Sequence, residues 1–107
     1  FGQGAAPVTP STAATAEGIL AELDAVLAQR AAERPEGSYT VKLLEDENLR
    51  LKKLGEETAE LVAALAKGDT ERAPEEAADL LYHLLVALRG SGLGLESVTE
   101  ALEERRG

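Results

Sequence analysis

Apolar residues recur every three to four positions along most of the chain, and this helical period constrains the fold more than any other feature. The composition agrees, because Ala, Leu and Glu favour helix while aromatic residues are rare, with one Phe and two Tyr among 107 residues. Pro35, Gly37, Gly68 and Gly90 interrupt the period at intervals typical of turns. We therefore predict an all-α domain, a small bundle of four to five helices, in a chain short enough that oligomerisation would bury further surface.

The same period sets the expected helix boundaries and inward faces. The predicted helices cover residues 17–34, 41–44, 48–67, 74–90 and 95–105, and the start of the fourth is left open between residues 70 and 74. The residues expected to point inward are Leu51, Leu54, Thr58, Leu61 and Leu65 on the long third helix, Leu80, Leu84 and Ala87 on the fourth, and Leu95, Val98 and Leu102 on the last.

The first sixteen residues, FGQGAAPVTPSTAATA, lack this period and are small, nearly uncharged and rich in Gly, Pro and Thr. We predict a flexible tail over residues 1–16, and we leave open that part of it is a cloning remnant. One all-α domain is expected over residues 17–107. No basic segment precedes an apolar run near position 1, so no signal peptide is expected.

The charge balance excludes several classes of partner. The chain carries 20 acidic and 11 basic residues, a formal net charge of −9, which repels the phosphates of nucleic acids. Cysteine is absent, which excludes disulfides and thiolate metal sites and fits a cytoplasmic location. The longest uncharged apolar run, residues 80–88, is too short to span a bilayer, so no membrane partner is expected.

Two consecutive helices carry matching pairs of carboxylates. Glu57 and Glu60 lie three positions apart on one helix, and Glu76 and Asp79 repeat that spacing on the next. At about 100° per residue, each pair occupies one flank of its helix. If the turn around Gly68 folds the helices into an antiparallel hairpin, the four carboxylates converge, and Mg²⁺ or Mn²⁺ would relieve their repulsion.

Each of these features also has a plainer interpretation. Either acidic pair alone is more typical of a solvated helix face in a chain this rich in glutamate. His83 is more typical of a satisfied, partly buried histidine than of a metal ligand, and Lys53 alone fits a solvated lysine or an ion-pair partner of Glu57. Two pairs on facing helices nevertheless favour a metal site, with Glu76 as its strongest member because an apolar residue is expected there.

The carboxylates also form a recognisable motif. EExxE at 56–60, followed after fifteen residues by ExxD at 76–79, resembles the all-α NTP pyrophosphatase superfamily, which is MazG-like. Within it, the segments SYTVKLL (38–44), KKLGEETAELVAALAKGD (52–69) and EEAADLLYHLLVAL (75–88) resemble the phosphoribosyl-ATP pyrophosphatases of histidine biosynthesis. The resemblance covers about residues 17–106.

The sequence departs from that family at two places. Asn48 and Leu49 stand where a basic residue is expected, and Arg50 follows them, so we assign Arg50 no phosphate-binding role. Gly94 stands where a Ser or Thr N-cap is more usual, a departure that concerns stability rather than chemistry.

The resemblance implies Mg²⁺-dependent hydrolysis of phosphoribosyl-ATP to phosphoribosyl-AMP and pyrophosphate. The carboxylates expected to hold the metal are Glu57, Glu60, Glu76 and Asp79. Glu56, or a ligand such as Glu57, would accept a proton from the attacking water, and the sequence leaves this choice open. Lys42 and Lys53 would steady the phosphates.

The resemblance further implies a homodimer. Leu81, Tyr82 and Leu85 support this physically, because they form a second apolar surface on the fourth helix. Two other functions remain open: a house-cleaning nucleoside triphosphate pyrophosphatase of the same superfamily, and a non-catalytic helical dimerisation module whose acidic pairs are only surface.

Overall fold

A computed structural model describes residues 15–106, and this part of the chain contains five helices and no strand. The helices are α1 (Ala16–Glu33), α2 (Tyr39–Glu45), α3 (Glu47–Ala66), α4 (Arg72–Gly90) and α5 (Leu95–Arg106). The predicted all-α fold is confirmed. Apart from residues 15 and 16, the predicted tail lies outside the described residues. None of the five helices is long and apolar enough to cross a membrane.

Side-chain caps explain where four of these helices begin. Thr15, Ser38 and Asp46 each accept a hydrogen bond from the backbone N–H three residues on, at 2.9, 3.3 and 3.0 Å. Asp46 also ends α2, so one residue separates two helices. Asp69 accepts from the N–H of Arg72 at 3.0 Å, and α4 therefore begins inside the predicted window.

The start of α5 is capped by a residue of a distant helix. Asp24 Oδ1 on α1 accepts from the N–H of Leu95 at 3.1 Å and from Arg89 Nη2 at 3.0 Å. A Cβ at Gly94 would lie 2.5 Å from Arg89 Nη2. The absence of a Ser or Thr at this position is thus explained, because the ion pair fills the space that such a side chain would need.

The core lies where α4 meets α1 and α2. Its fully buried members are Leu27, Leu43, Leu85 and Val86. α3 packs along the remaining side of α4, and the short turn between them makes these two helices an antiparallel hairpin. α4 is therefore the central helix, since it packs against α1, α2 and α3.

The predicted inward stripe of α3 is correct only in part, since Leu54 and Leu61 are half-buried while Thr58 is exposed. The buried residues of this helix are Arg50, Glu57 and Ala64, spaced seven positions apart. Leu51 and Leu65 are instead 54% and 61% exposed. The leucine spacing predicts a stripe centred on Leu54 and Leu61, whereas the edge of that stripe, at Glu57, is the buried part.

The predicted faces of α4 and α5 also need correction. Leu85 was expected on a second outer surface but is in the core, because α4 packs against neighbours on more than one side. Leu81 does lie on an outer surface, with 42% of it exposed. On α5, Leu102 was expected inside but is 59% exposed, since this last helix contacts chiefly α1.

Arg50 is buried for a structural reason. Its Nη1 donates to the carbonyls of Leu43 at 3.3 Å and Leu44 at 3.0 Å, which satisfies acceptors in the last turn of α2. A Cβ on Gly90 would lie 2.4 Å from Arg50 Nε, so glycine lets α4 approach the guanidinium. Arg50 thus ties α2, α3 and α4 together.

Candidate metal centre

Three of the four predicted carboxylates meet on one flank of the hairpin. Glu57 on α3, with Glu76 and Asp79 on α4, each offers a carboxylate oxygen, and these oxygens all lie within 4.8 Å of one another. Glu57 and Glu76 are each only 6% exposed, whereas Asp79 is exposed. The cluster therefore has a buried floor and one solvent-facing member.

The charge of Glu57 is poorly compensated by the protein. Burial raises the pKa of its carboxyl group, and the neighbouring charge of Glu60 raises that pKa further. Lys53 and His83 lower it but do not offset the other two effects. A buried carboxylate with a raised pKa favours the arrival of further positive charge.

Glu60 stands beside the cluster rather than within it. It is exposed, and its effect on the pKa of Glu57 shows that the two carboxylates are neighbours. Its role as a fourth metal ligand stays a prediction.

Lys53 and Glu56 form a charged rim on α3. Lys53 Nζ lies 3.4 Å from Glu56 Oε1 and 3.8 Å from Glu57 Oε2. The pKa of the Lys53 amine is raised, chiefly by its hydrogen bond to Glu56, so this group stays charged. Glu56 also lies 3.9 Å from Lys52, which makes it a partly exposed carboxylate between two cations.

Arg72 is a second cation at the cluster and was not among the predicted site residues. Its Nη2 donates to Glu76 Oε2, one helical turn away. The signal that identifies it is its spacing, because Arg72 precedes Glu76 by four positions just as Lys53 precedes Glu57.

His83 is buried next to the cluster, and both its ring nitrogens are engaged. Nδ1 donates to the backbone carbonyl of Asp79 at 2.8 Å, and Nε2 lies 3.2 Å from the hydroxyl of Tyr39, within hydrogen-bond distance. The Tyr82 ring meets His83 edge-on, with ring centres 5.0 Å apart. This histidine supports the backbone of Asp79, in agreement with the interpretation of a satisfied residue.

Lys42 lies at a different feature. It is exposed on α2 and lines an open cleft together with Arg34, Ser38 and Tyr39. None of the three clustered carboxylates lines that cleft. The proximity of Lys42 to the cluster therefore stays a prediction.

The donor set fits a hard divalent cation. Carboxylate oxygens are the ligands that Mg²⁺ prefers, and this cluster offers three of them from two neighbouring helices. The raised pKa of Glu57 points the same way, because positive charge at this place relieves an existing conflict. The arrangement can hold a cation on a side that is open to solvent at Asp79.

The sequence of this chain is similar to those of known proteins. A family model described as phosphoribosyl-ATP pyrophosphohydrolase matches residues 20–106. The phosphoribosyl-ATP pyrophosphatase of Methylobacterium nodulans is 49% identical over 87 residues, 80% of this chain and 81% of that protein. The protein of the same name in Metallosphaera sedula is 43% identical over 88 residues, 81% of this chain and 95% of its own.

Longer relatives match the same region. The histidine biosynthesis bifunctional protein HisIE of Bacillus subtilis is 48% identical over 98 residues, which cover 91% of this chain and 47% of that protein. The chain therefore spans about half the length of these bifunctional relatives.

Proposed function

Because the chain belongs to the phosphoribosyl-ATP pyrophosphohydrolase family, we propose that it hydrolyses the α–β phosphoanhydride of phosphoribosyl-ATP in histidine biosynthesis. The products would be phosphoribosyl-AMP and pyrophosphate. The observation that carries the proposal is the cluster of Glu57, Glu76 and Asp79 on facing helices, in a chain whose family acts on this substrate.

The residues of the cluster would hold Mg²⁺, with Glu60 as a neighbouring carboxylate. Bound there, the metal would neutralise phosphate oxygens and lower the pKa of a coordinated water. Mn²⁺, which accepts the same oxygen ligands, would substitute.

The remaining side chains have distinct tasks in this proposal. In the reaction, the water oxygen bonds to phosphorus, the bond to the bridging oxygen breaks, and that oxygen leaves with one product. Glu56 accepts a proton of the water, since it is partly exposed and is held by Lys52 and Lys53 beside the cluster. Lys53 stays charged and is placed to hold a phosphate oxygen.

One assay separates this function from its alternatives. Purified protein with Mg²⁺ is incubated with phosphoribosyl-ATP or with a panel of nucleoside triphosphates, and pyrophosphate is measured. We expect release from phosphoribosyl-ATP. Release mainly from triphosphates would indicate a house-cleaning enzyme. No release, together with a melting temperature that Mg²⁺ and Mn²⁺ leave unchanged, would indicate a non-catalytic module.

We also propose that two copies of the chain pair through the leucine side of the hairpin. Leu51, Val62 and Leu65 on α3 are 54%, 59% and 61% exposed, and Leu81 on α4 is 42% exposed. At about 100° per residue, the three α3 residues lie on the side of Glu57 away from Lys53, Glu56 and Glu60. Pairing there would bury apolar surface and leave the carboxylates accessible.

The mass in solution tests this pairing. Light scattering after size-exclusion chromatography should give twice the chain mass of 11.2 kDa, and Leu65→Glu should give the single mass. Thr99→Glu, a change at an exposed position of α5, serves as the matched control and should remain a dimer. A monomeric wild-type protein at tens of micromolar would contradict the proposal.

A further inference from the structure

The two helices of the metal centre repeat one arrangement of charges. Each carries a cation, a carboxylate four positions later and a second carboxylate three positions after that; the residues are Lys53, Glu57 and Glu60 on α3 and Arg72, Glu76 and Asp79 on α4. In both helices the cation contacts the first of its carboxylates, which is the buried one. The protein thus supplies one cation from each helix.

The antiparallel hairpin places these cations at opposite ends of the cluster. Lys53 lies one turn before Glu57 and Arg72 one turn before Glu76, and the two helices run in opposite directions. Four residues correspond to about 6 Å along a helix axis, so the cations bracket the carboxylates. The pKa of Arg72 is raised, first by its hydrogen bond to Glu76 and to a smaller extent by the charge of Glu60. Arg72 therefore lies in the field of Glu76 on its own helix and of Glu60 on the neighbouring helix.

Arg72 differs from its counterpart in exposure. Its side chain is 61% exposed while that of Glu76 is 8% exposed, and the Lys53 side chain is 29% exposed. One nitrogen of the guanidinium engages Glu76, and most of the group is open to solvent. A guanidinium has five N–H donors in a planar fork that matches phosphate oxygens. Arg72 can thus reach a phosphate at the open side of the site.

Arg72 would also compete with a bound metal ion for one carboxylate of the cluster. Its Nη2 contacts Glu76 Oε2, and Glu76 is one of the three residues whose oxygens converge. A carboxylate shared between an arginine and a metal ion brings two positive charges together, which is unfavourable. A metal ion bound by Glu76 would therefore weaken the ion pair between Glu76 and Arg72.

We propose that Arg72 binds the polyphosphate chain of the substrate and exchanges Glu76 for phosphate oxygens when that carboxylate takes the metal. This inference rests on the proposed function for the identity of the substrate. The exchange keeps every charge paired, because Glu76 passes from one cation to another while Arg72 passes from one anion to another. Lys53 holds the phosphates from the opposite end of the cluster.

Two binding measurements that need no turnover test the proposal. The affinity for Mn²⁺ alone is measured by electron paramagnetic resonance, and the affinity for pyrophosphate with Mg²⁺ by calorimetry. Arg72→Gln should bind Mn²⁺ about two- to fivefold more tightly, since a competing cation is gone. It should bind pyrophosphate about tenfold more weakly, since a charge-assisted contact is lost. Arg72→Lys should bind pyrophosphate with intermediate affinity.

A matched control and a stability measurement keep the result interpretable. Arg106→Gln removes an exposed arginine from an ion pair with Glu103 on α5 and should change neither affinity. Weaker Mn²⁺ binding and a lower melting temperature in Arg72→Gln would overturn the proposal, because Arg72 would then only hold Glu76 in place. Unchanged pyrophosphate affinity would also overturn it. If wild-type protein fails to cleave phosphoribosyl-ATP, the proposed function fails, but both binding measurements still decide the role of Arg72.

Discussion

Arg50 and Glu57 are two buried charges on the same face of α3, seven positions apart, and they serve different ends. Arg50 lies among acceptors, since its Nη1 donates to two backbone carbonyls of α2. Glu57 lies among groups that disfavour its charge, because burial and Glu60 together raise its pKa. The comparison teaches that burial alone does not mark a functional charge. A functional charge is indicated when its pKa stays unfavourably shifted despite the neighbouring groups that stabilise it.

The largest difference between the two positions should appear in Glu57→Gln. This variant keeps the size of the side chain but removes a carboxylate of the cluster, so pyrophosphate release from phosphoribosyl-ATP should fall at least about 100-fold. In the presence of a chelator the same variant should melt at a higher temperature than the wild type, because a neutral amide has neither the desolvation cost nor the repulsion from Glu60. Scanning calorimetry with and without Mg²⁺ checks the second part. An active variant, or one that melts at a lower temperature than the wild type in chelator, would contradict the functional role assigned to Glu57.

Arg50→Met should show the opposite pattern. Loss of the guanidinium leaves the carbonyls of Leu43 and Leu44 without this donor, which should lower the free energy of unfolding by about 1–3 kcal/mol. Activity per folded molecule should remain close to that of the wild type, since Arg50 does not touch the cluster. Urea unfolding followed by circular dichroism gives the free energy. A variant of unchanged stability and lost activity would assign Arg50 to the chemistry and contradict the structural interpretation.

Gly90→Ala tests the structural role of Arg50 by a change on α4, the helix that packs against its guanidinium. Alanine normally favours a helix over glycine, but here its Cβ would lie 2.4 Å from Arg50 Nε. We expect a net loss of about 1–2 kcal/mol in the free energy of unfolding, because Arg50 must shift away from its acceptors. Gly55→Ala, at a helical position where a Cβ meets nothing within 4 Å, is the matched control and should be neutral or stabilising. Equal behaviour of the two variants would show that the close approach at Gly90 costs nothing.

The smallest expected effect is a dependence on pH. Because the pKa of Glu57 is raised in the folded state above its ordinary value of 4.5, its contribution to stability is fully present below that value and is lost as pH rises through the folded pKa. The difference in unfolding free energy between Glu57→Gln and wild type, measured in chelator, should therefore grow with pH across this range and level off above it. A difference that shrinks with rising pH would mean that the surroundings of Glu57 stabilise its charge.

Much of the site could be read from the sequence, because the spacing of carboxylates on a helix determines which flank they occupy. Glu57, Glu76 and Asp79 needed only that spacing and a hairpin turn to be placed together. Buried faces were harder, since periodicity shows where leucines recur but not which side of a helix meets its neighbour. Leu51 and Leu65 were therefore assigned inward while Arg50 was not. The cap of α5 by Asp24 depends on a contact across 71 positions that no local pattern contains.

Asp79→Asn is the most direct test of whether the carboxylate cluster carries the reaction. Asp79 is the exposed member of the cluster, so its replacement disturbs the fold least. The hydrogen bond from His83 goes to the backbone carbonyl of Asp79, so the variant retains it. Pyrophosphate release from phosphoribosyl-ATP with saturating Mg²⁺ is compared with wild type, alongside the melting temperature in chelator. We expect a loss of at least about 100-fold at an unchanged melting temperature. A stable variant with full activity would contradict it.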